Sequence, residues 1–362
     1  MIKSVYIHIP FCDTICSYCD FCKFIKNEEW IEKYLITLKK EINNKYNKEI
    51  IDTIYIGGGT PSCLNIEQLN KLFNIIKIFN KNKEYEFTFE YNIENITEEK
   101  LRLLYENGVN RLSIGIQTFN EKHLKFLNRN HNKKDIVEKI NLAKKIGFKN
   151  INIDLIYALP NQTLKELNSD IEEFLKLDIT HISTYSLILE PNTKVYIEDV
   201  KNIDEDLDYD MYKLICDKLK NKGYNHYEIS NFSKVGYESK HNLTYWNNNE
   251  YYGFGLGASG YIDNIRYDNT RSFNKYKNGE YIKELHRLNK DETIENEFIL
   301  GLRKLKGINK EKFKNKYNKD IKSIEVVNKL LGCNKLLEDE KNIYINPKYI
   351  YISNDILVGF IN

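Results

Sequence analysis

The stretch Cys12-Asp-Thr-Ile-Cys16-Ser-Tyr-Cys19 carries the most specific information in this sequence. It places three cysteines at the spacing C-x3-C-x2-C, shortly after an apolar, strand-like segment at residues 5–9. Iron–sulfur clusters are held by cysteine thiolates, and a cubane usually takes four. Three thiolates on one loop would leave one iron without a protein ligand, and an open metal position is what a catalytic metal site requires. We therefore predict that Cys12, Cys16 and Cys19 hold a [4Fe–4S] cluster.

Three other interpretations of these cysteines remain open, and the simplest is that they are ordinary cysteines without a ligand. A structural zinc site would need a fourth ligand, for which Cys22 is the obvious candidate. A thioredoxin-like pair of Cys16 and Cys19 would require a helix that begins directly after Cys16. The remaining cysteines have no cysteine or histidine partner at ligand spacing, so we interpret them as core or incidental residues. They are Cys63, Cys216 and Cys333.

Strand-like and helix-like segments alternate along the first 205 residues. The apolar patterns predict six strands, at residues 5–9, 53–56, 86–90, 111–114, 151–156 and 181–187. Helical segments separate these strands, and such crossovers make consecutive strands parallel. We therefore predict an α/β fold with a partial (β/α)6 barrel. Functional residues of such a barrel lie at the carboxyl ends of its strands.

The pattern changes after residue 205, and we divide the chain into three parts. Residues 1–205 form the predicted barrel, and residues 206–285 form an extension that packs on it. The extension begins with a predicted helix at 207–222 and continues through a polar stretch rich in glycine and aromatic residues. Residues 286–362 contain short helices and a strand-like end at 343–352, which predicts a small helical or winged-helix-like domain.

The overall composition argues against some classes of protein function. Lys and Arg number 54 against 52 Asp and Glu, and this balance argues against a general nucleic-acid binder. No apolar run approaches the roughly 20 residues of a membrane span, which leaves only transient membrane contact open. The amino terminus lacks the features of a signal peptide, so we expect a cytoplasmic protein. In that reducing compartment, clustered cysteines indicate a metal or redox site rather than disulfides.

Beyond the cysteine loop, a series of motifs resembles those of the radical SAM superfamily. More narrowly, the series is similar to the oxygen-independent coproporphyrinogen III oxidase-like group, over most of residues 4–262. The matching segments are Tyr6-Ile-His-Ile-Pro-Phe11, Gly57-Gly-Gly-Thr-Pro61, Arg111-Leu-Ser-Ile-Gly-Ile-Gln117, Asn152-Ile-Asp-Leu-Ile-Tyr157, His181-Ile-Ser-Thr-Tyr-Ser-Leu187, Tyr227-Glu-Ile-Ser-Asn-Phe232, His241-Asn-Leu-Thr-Tyr-Trp246 and Gly253-Phe-Gly-Leu-Gly257.

The resemblance implies that S-adenosylmethionine (SAM) binds the open iron. In this family one electron from the cluster cleaves the sulfonium bond of SAM and yields a 5′-deoxyadenosyl radical, which requires an electron donor such as flavodoxin or ferredoxin. Taken singly, the matching residues are also consistent with loop packing, a tight glycine turn or structural salt bridges. The implied SAM contacts are Tyr6, Tyr18, Gly58, Gly59, Thr60, Glu90, Gln117, Arg129 and Asp154.

Two departures separate the chain from the oxidases of this group. Those oxidases carry an arm before the cluster loop, and here the cysteines begin at residue 12. They also have a cysteine two residues after the third, where this chain has Phe21, and Cys22 comes one place later. Both departures resemble the HemW branch, whose implied activity is to bind haem as cargo and to pass it to an acceptor protein.

The segment His241-Asn-Leu-Thr-Tyr-Trp246 also matches that branch. Neutral imidazole is a common haem ligand, so His241 is a candidate axial ligand, and Tyr245 and Trp246 offer flat apolar surfaces. The alternative is that His241 and Asn242 tie a loop to the barrel. The chain departs from the branch at Ser259-Gly260, where His-Ser is usual, and at residue 93, where proline is common.

Three functions remain at this stage. The first is a haem chaperone with a SAM-binding cluster, and the second is an oxygen-independent coproporphyrinogen III oxidase. The third is a non-enzymatic metal-binding structural protein. The missing oxidase features argue against coproporphyrinogen III dehydrogenase activity, but the sequence leaves open whether the protein is an enzyme. We assign no catalytic residue, and neither the haem acceptor nor the oligomeric state can be named.

Overall fold

The computed structural model describes residues 1–361 of the chain. Long apolar runs form the buried strands, and β-branched residues favour this state. The strands are β1 (Ser4–Ile9), β2 (Phe11–Cys12), β3 (Phe24–Ile25), β4 (Ile50–Gly58), β5 (Asn80–Asn92), β6 (Arg111–Gln117), β7 (Asn150–Tyr157), β8 (His181–Ser186), β9 (Asn225–Glu228), β10 (Asn231–Ser233), β11 (Tyr252–Phe254), β12 (Ser259–Ile262), β13 (Ile265–Asn269), β14 (Ile282–Arg287), β15 (Ile308–Asn309), β16 (Leu336–Glu338) and β17 (Asn342–Ile345).

Most helices begin at a polar residue whose side chain accepts a hydrogen bond from the first turn, as Asn65 and Thr163 do. The helices are α1 (Glu28–Lys45), α2 (Ile66–Ile76), α3 (Glu98–Glu106), α4 (Glu121–Phe126), α5 (Lys133–Ile146), α6 (Leu164–Lys176), α7 (Lys194–Ile197), α8 (Glu205–Asn221), α9 (Lys240–Trp246), α10 (Phe273–Lys277), α11 (Lys290–Gly301), α12 (Lys310–Tyr317), α13 (Glu325–Gly332) and α14 (Ser353–Leu357). No helix of the described chain is long and apolar enough to cross a membrane.

A nine-stranded sheet in the order β11-β1-β4-β5-β6-β7-β8-β10-β9 forms the centre of the molecule. The strands from β1 to β8 in this order are the six predicted ones, and all of them run parallel. The extension adds a parallel strand, β11, at one edge and two antiparallel strands at the other. The prediction of an α/β fold with six parallel barrel strands is confirmed.

The remaining strands form smaller sheets outside this one. Strands β12, β13 and β14 make an antiparallel sheet within the extension, which the sequence pattern did not reveal. In the C-terminal part, β15, β17 and β16 form a three-stranded antiparallel sheet beside helices α11 to α13. One continuous hydrophobic core reaches from Ile2 to Phe360, so the parts of the chain pack on one another.

The predicted strand-like end at 343–352 is only partly correct. The strand β17 ends at Ile345, and Pro347–Tyr349 forms a 3-10 helix before α14. Proline has no N–H for a sheet and its φ is fixed, so Pro347 cannot continue the strand. Of the predicted domain boundaries, 205/206 falls at the beginning of α8 and 285/286 falls inside β14. The three-part division stays a prediction.

Candidate functional site

The three predicted cluster cysteines lie at one end of a cavity of about 580 Å³. Cys12 ends β2, where the backbone N–H of Lys26 donates to its carbonyl (2.8 Å) and the Thr60 hydroxyl donates to its Sγ (3.4 Å). Cys16 and Cys19 are half-buried and line the same cavity. Burial raises the pKa of the Cys12 thiol to about 12 and also raises that of Cys19. The loop thus directs three thiols towards one space.

The fourth cysteine of the cluster region has a different environment. Cys22 is buried and does not line the cavity, and its side chain packs so closely on Gly257 that a Cβ there would lie 2.8 Å from Sγ. Its carbonyl accepts a hydrogen bond from His8 Nε2 (2.7 Å). Cys22 therefore holds the loop to the extension and is not placed beside the other three thiols.

The structure does not support the zinc or the thioredoxin-like interpretation of the cysteines. Within residues 1–361, no three His, Cys, Asp or Glu side chains are gathered around a single metal position, so no zinc site is preformed. A cubane has less need of such convergence, because each thiolate binds a different iron. No helix begins after Cys16, where residues 16–19 form a turn, and this contradicts the thioredoxin-like interpretation.

The interior side chains of the parallel strands form three layers. Residues paired in register on adjacent strands face the same side of a sheet, so each layer crosses several strands. The predicted SAM contacts Tyr6, Glu90 and Asp154 fall in three different layers, so they lie at different heights in the barrel. The lowest layer is Tyr6, Tyr55, Thr88 and Arg111, the middle one is Glu90, Ser113, Asn152 and His181, and the upper one is Asn92, Gly115, Asp154 and Ser183.

Eight of the nine predicted SAM contacts line the cavity, and Tyr6 does not. Tyr6 lies in the lowest layer, where its ring is 6.0 Å from that of Tyr55, which forms part of the cavity floor. Its hydroxyl donates to His8 Nδ1 (2.9 Å), because Nε2 of the neutral His8 ring must donate to a carbonyl. Tyr6 therefore lies outside the cavity lining, and its contact with SAM stays a prediction.

The glycine turn after β4 is held by the protein itself. The Gly58 N–H donates to Glu90 Oε2 (3.0 Å), and the Gly59 N–H donates to the Ile9 carbonyl (2.9 Å). The Thr60 N–H donates to the Phe11 carbonyl (2.7 Å). Only glycine fits at position 58, where φ is +112° and a Cβ would meet the His8 ring at 2.5 Å. The turn therefore joins the cysteine loop to the third barrel strand while its surface lines the cavity.

Glu90 is the central buried acid of the cavity. Its Oε1 accepts a hydrogen bond from the Tyr55 hydroxyl (2.7 Å). Burial raises the pKa of its carboxyl to about 7, despite the hydrogen bonds from Tyr55 and Gly58 that oppose the shift. Burial also raises the pKa of Asp154. Neither acid forms an ion pair within the described residues, although Arg111 in the same cavity favours the charged form of both. A cationic ligand would favour their charged forms further.

Arg129 and Gln117 lie at the mouth of the cavity. Arg129 Nη1 donates to Asn92 Oδ1 (2.7 Å) and Nη2 donates to the Tyr18 hydroxyl (3.0 Å). Gln117 follows an irregularity in β6 and has a φ of +73°, which is rare for a residue with a side chain. Both side chains pass over Gly115, where a Cβ would lie 2.9 Å from Gln117 Nε2 and 3.2 Å from Arg129 Nη2.

Asp154 ends a directed chain of buried hydrogen bonds. The Asn152 amide donates to Asp154 Oδ1 (2.9 Å), and Asn152 Oδ1 can only accept, so His181 Nδ1 donates to it (2.6 Å). Burial lowers the pKa of His181, so the ring is neutral and its Nε2 accepts from the Tyr227 hydroxyl (2.8 Å). The chain runs from the extension through the barrel interior to the cavity.

The surroundings of His241 favour a structural role, and its role as an axial haem ligand stays a prediction. The side chain is 1% exposed, its Nδ1 is hydrogen-bonded to Thr53 Oγ1 (2.8 Å) and its Nε2 to the Tyr245 hydroxyl (2.8 Å). Its backbone N–H donates to Glu86 Oε1 (3.0 Å). Neither ring nitrogen is free to bind iron, and these contacts support the alternative that His241 ties helix α9 to the barrel.

The sequence analysis missed many residues that line the cavity. In Arg111–Gln117, small or polar residues alternate with Leu112, Ile114 and Ile116, and this period of two could have identified the inward face. Asn242 and Arg271 come from the extension, and no local pattern marks them. The missed polar and small residues are Tyr55, Asn92, Arg111, Ser113, Gly115, Asn152, Ser183, Tyr185, Asn242 and Arg271.

Among solved structures, the chain is similar to coproporphyrinogen III oxidase (HemN) from Escherichia coli, described as a radical SAM enzyme. The TM-score is 0.86, with 22% sequence identity, and the match covers 99% of this chain and 90% of that one. At this identity the likeness shows the fold alone. The family model of the Radical SAM superfamily matches residues 6–174.

Curated relatives match the whole chain. The heme chaperone HemW of Lactococcus lactis subsp. lactis (strain IL1403) is 41% identical over 369 residues, which covers 99% of this chain and 97% of that protein. The heme chaperone HemW of Bacillus subtilis (strain 168) is 39% identical over 375 residues and covers 99% of both. That of Escherichia coli (strain K12) is 32% identical and covers 77% of both. The chain belongs to the HemW family of the radical SAM superfamily.

Proposed function

We propose that Cys12, Cys16 and Cys19 hold a [4Fe–4S] cluster whose fourth iron binds SAM. One observation supports this above all: three thiols, two acids that form no ion pair within the described residues, and three arginines line the same cavity. Its volume of about 580 Å³ lies within the range of ~300–1,000 Å³ that small-molecule sites occupy. When bound, the cluster and SAM supply one-electron chemistry, and the chain binds, orients and shields them.

The charged groups of the cavity match the charges of SAM. Glu90 and Asp154 would attract its amino and sulfonium groups, and Arg129 would bind its carboxylate. Arg129 Nε has no hydrogen-bond partner in the described chain, and Tyr18 and Asn92 already fix the two Nη atoms. The guanidinium is thus oriented before a ligand arrives, which lowers the entropic cost of binding. Thr60 would hold the Cys12 thiolate by its hydroxyl.

We infer further that the protein is a heme chaperone, which binds haem and passes it to an acceptor protein. The full-length relatives that carry this name support the inference. The departure from the oxidases at residue 21, where this chain has Phe21 and they have a cysteine, argues against turnover of coproporphyrinogen III. An electron donor of the flavodoxin or ferredoxin type would reduce the cluster.

One preparation can separate the chaperone from the oxidase. The chain is reconstituted anaerobically with iron and sulfide, and samples are assayed for hemin binding and for conversion of coproporphyrinogen III. We expect hemin binding and no porphyrin product. A protein that binds no hemin but forms protoporphyrinogen IX would be an oxidase, and the chaperone proposal would fall.

The ligand assignment of the cluster is tested by single substitutions. Replacing Cys12, Cys16 or Cys19 by Ala should abolish the visible absorbance and the ~4 irons per chain of a cubane, because each thiolate binds its own iron. Cys22→Ala is the matched control and should retain both, since its side chain faces Gly257 instead of the cavity. Loss of the cluster in Cys22→Ala alone would show that the assignment is wrong.

A further inference from the structure

A second cavity, of about 970 Å³, lies between helix α8, strand β9 and the C-terminal part of the chain. It is separate from the cysteine cavity, and the two share no lining residue. Small-molecule sites occur preferentially where two parts of a chain meet, and this volume suits a large cofactor. The HemW family assignment does not identify a role for it.

Aromatic rings form the walls of this second cavity. Tyr209 and Tyr212 on α8 pack directly on Tyr351 of the C-terminal part, at centroid distances of 5.2 and 5.4 Å, and the three rings form one aromatic surface. On another side Tyr224 and Tyr227 also line it. Such flat, partly apolar surfaces fit the face of a planar aromatic ligand.

Part of the aromatic wall is fixed by buried hydrogen bonds. The Tyr224 hydroxyl donates to the Ile179 carbonyl (2.6 Å), and the Tyr227 hydroxyl donates to His181 Nε2 and accepts from the Ser239 N–H. Because these rings are held in place without a ligand, binding would order few side chains. Tyr227 is also the outer end of the hydrogen-bond chain that reaches Asp154 in the SAM cavity.

The charge of the lining selects an anionic ligand. Five lysines line the cavity against only Asp217 and Glu238, and none of the five forms an ion pair within residues 1–361. Burial lowers the pKa of Lys304 to about 8, so an anion beside it would favour its charged form. The five are Lys213, Lys220, Lys304, Lys306 and Lys348.

Two side chains of the lining can donate to iron. Burial lowers the pKa of His226 to about 4, so its imidazole is neutral. The ring is hydrogen-bonded to the backbone of Ile229 and Glu228, and iron would have to displace one of these bonds. Its ring is held by stacking on Phe232 at 4.3 Å and by a hydrogen bond from Nε2 to the Ile229 carbonyl (3.2 Å). Cys216 contributes a half-buried thiol to the same cavity.

We propose that this second cavity is the binding site of the haem cargo, with the porphyrin against the tyrosine rings and its two propionates on the lysines. This inference rests on the proposed chaperone function and assigns the site at which the haem would bind. Planar aromatic walls, an excess of unpaired lysines and donors for iron occur together here. The His241 side chain, by contrast, lines neither cavity.

The test is hemin titration of the full-length, reconstituted protein under anaerobic conditions. The triple substitution Lys213→Gln, Lys220→Gln and Lys348→Gln changes exposed side chains and should leave the fold intact. It should weaken hemin binding about tenfold, or ~1.4 kcal/mol. The control is Lys39→Gln, Lys83→Gln and Lys283→Gln, which removes three exposed charges far from this lining and should bind as wild type does.

Two further measurements separate a site from general attraction. Haem dimethyl ester lacks the carboxylates, so the lysine substitutions should not weaken its binding. Cys216→Phe should lower hemin affinity by filling the cavity, with cluster content and SAM binding as checks of folding.

Each outcome has a definite meaning. Equal hemin affinity in wild type, the cavity triple variant and Cys216→Phe overturns the site, while the chaperone function stands. Equal weakening in both lysine triple variants also overturns it, since the attraction is then non-specific. A wild-type protein that binds no hemin overturns the proposed function itself.

Discussion

At the scale of single residues, burial dominates the chemistry of this protein. Glu90, Asp154, His181 and His241 all lie inside the barrel, where desolvation disfavours their charged forms. Glu90, with a pKa of about 7, therefore remains partly protonated near neutral pH, and the histidines remain neutral. Hydrogen bonds to fixed partners then determine which nitrogen or oxygen each side chain presents.

The raised pKa of Glu90 makes a testable contribution to stability. The folded pKa of about 7 lies above the ordinary 4.5, so between these values the folded state keeps a proton that the unfolded chain has lost. Stability therefore falls as pH rises from about 4.5 to 7, by up to about 3 kcal/mol. Glu90→Gln lacks this titration. In urea unfolding of the cluster-free proteins, the free energy of unfolding of Glu90→Gln should therefore increase relative to that of wild type as pH rises from about 4.5 to 7.

A pH-independent difference between wild type and Glu90→Gln would contradict the raised pKa. Tyr55→Phe is a useful companion, because it removes the hydrogen bond to Oε1 that lowers the pKa. In that variant the fall in stability should extend to higher pH.

The contacts of His241 predict a structural role. His241→Ala should destabilise the protein by about 2–4 kcal/mol, because it opens a cavity and leaves Thr53 Oγ1 and the Tyr245 hydroxyl without their partner. Tyr245→Phe removes only one of these hydrogen bonds and should cost about 1 kcal/mol. Urea unfolding measures both, and the Soret band of bound hemin should keep its position. A shifted Soret band with unchanged stability would instead make His241 the iron ligand.

At the scale of elements, glycines control how closely the loops approach the strands. The turn at 57–59 packs on the backbone of Ile9 and Phe11, which positions the cysteine loop over the sheet. Gly115 in β6 makes room for side chains that cross it. A glycine inside a strand often marks such a close approach.

Gly115→Ala should weaken SAM binding without unfolding the protein. The new Cβ would displace the flexible ends of Gln117 and Arg129, and moving these groups should reduce SAM affinity about tenfold. The control is Gly332→Ala at the end of α13, where a Cβ meets nothing within 4 Å. A SAM titration followed by the paramagnetic resonance of the reduced cluster measures both. Equal affinity in the two variants would contradict the proposed placement of SAM.

At the scale of the whole molecule, one core joins the barrel, the extension and the C-terminal part. The sequence contains two tryptophans that report on different regions. Trp30 on α1 stacks on Phe273 of the extension (4.4 Å), and Trp246 on α9 lies 5.7 Å from the guanidinium of Arg303 near the C-terminal sheet.

The continuous core predicts one cooperative unfolding transition of the cluster-free protein. Trp30→Phe leaves Trp246 as the fluorescence reporter, and Trp246→Phe leaves Trp30. Both reporters and the far-ultraviolet circular dichroism should give the same urea midpoint. A lower midpoint for the Trp246 reporter would mean that the C-terminal part unfolds separately.

The sequence by itself determined the six barrel strands, their parallel order and the loop that carries Cys12, Cys16 and Cys19. Apolar runs and ligand spacing are local properties of the chain, so they can be identified in the sequence without the tertiary structure. Eight of the nine SAM contacts predicted from motifs do line one cavity, although their contact with SAM stays a prediction.

Only the tertiary structure decided which polar residues reach a cavity. Strand register placed Tyr6 in the layer below Glu90, outside the cavity lining, and packing against Thr53 and Tyr245 enclosed His241. The second cavity joins Tyr212 to Tyr351, residues far apart in the chain whose approach no local pattern encodes. Register and packing depend on all the strands and helices at once, so a motif can identify a residue type but not its surroundings.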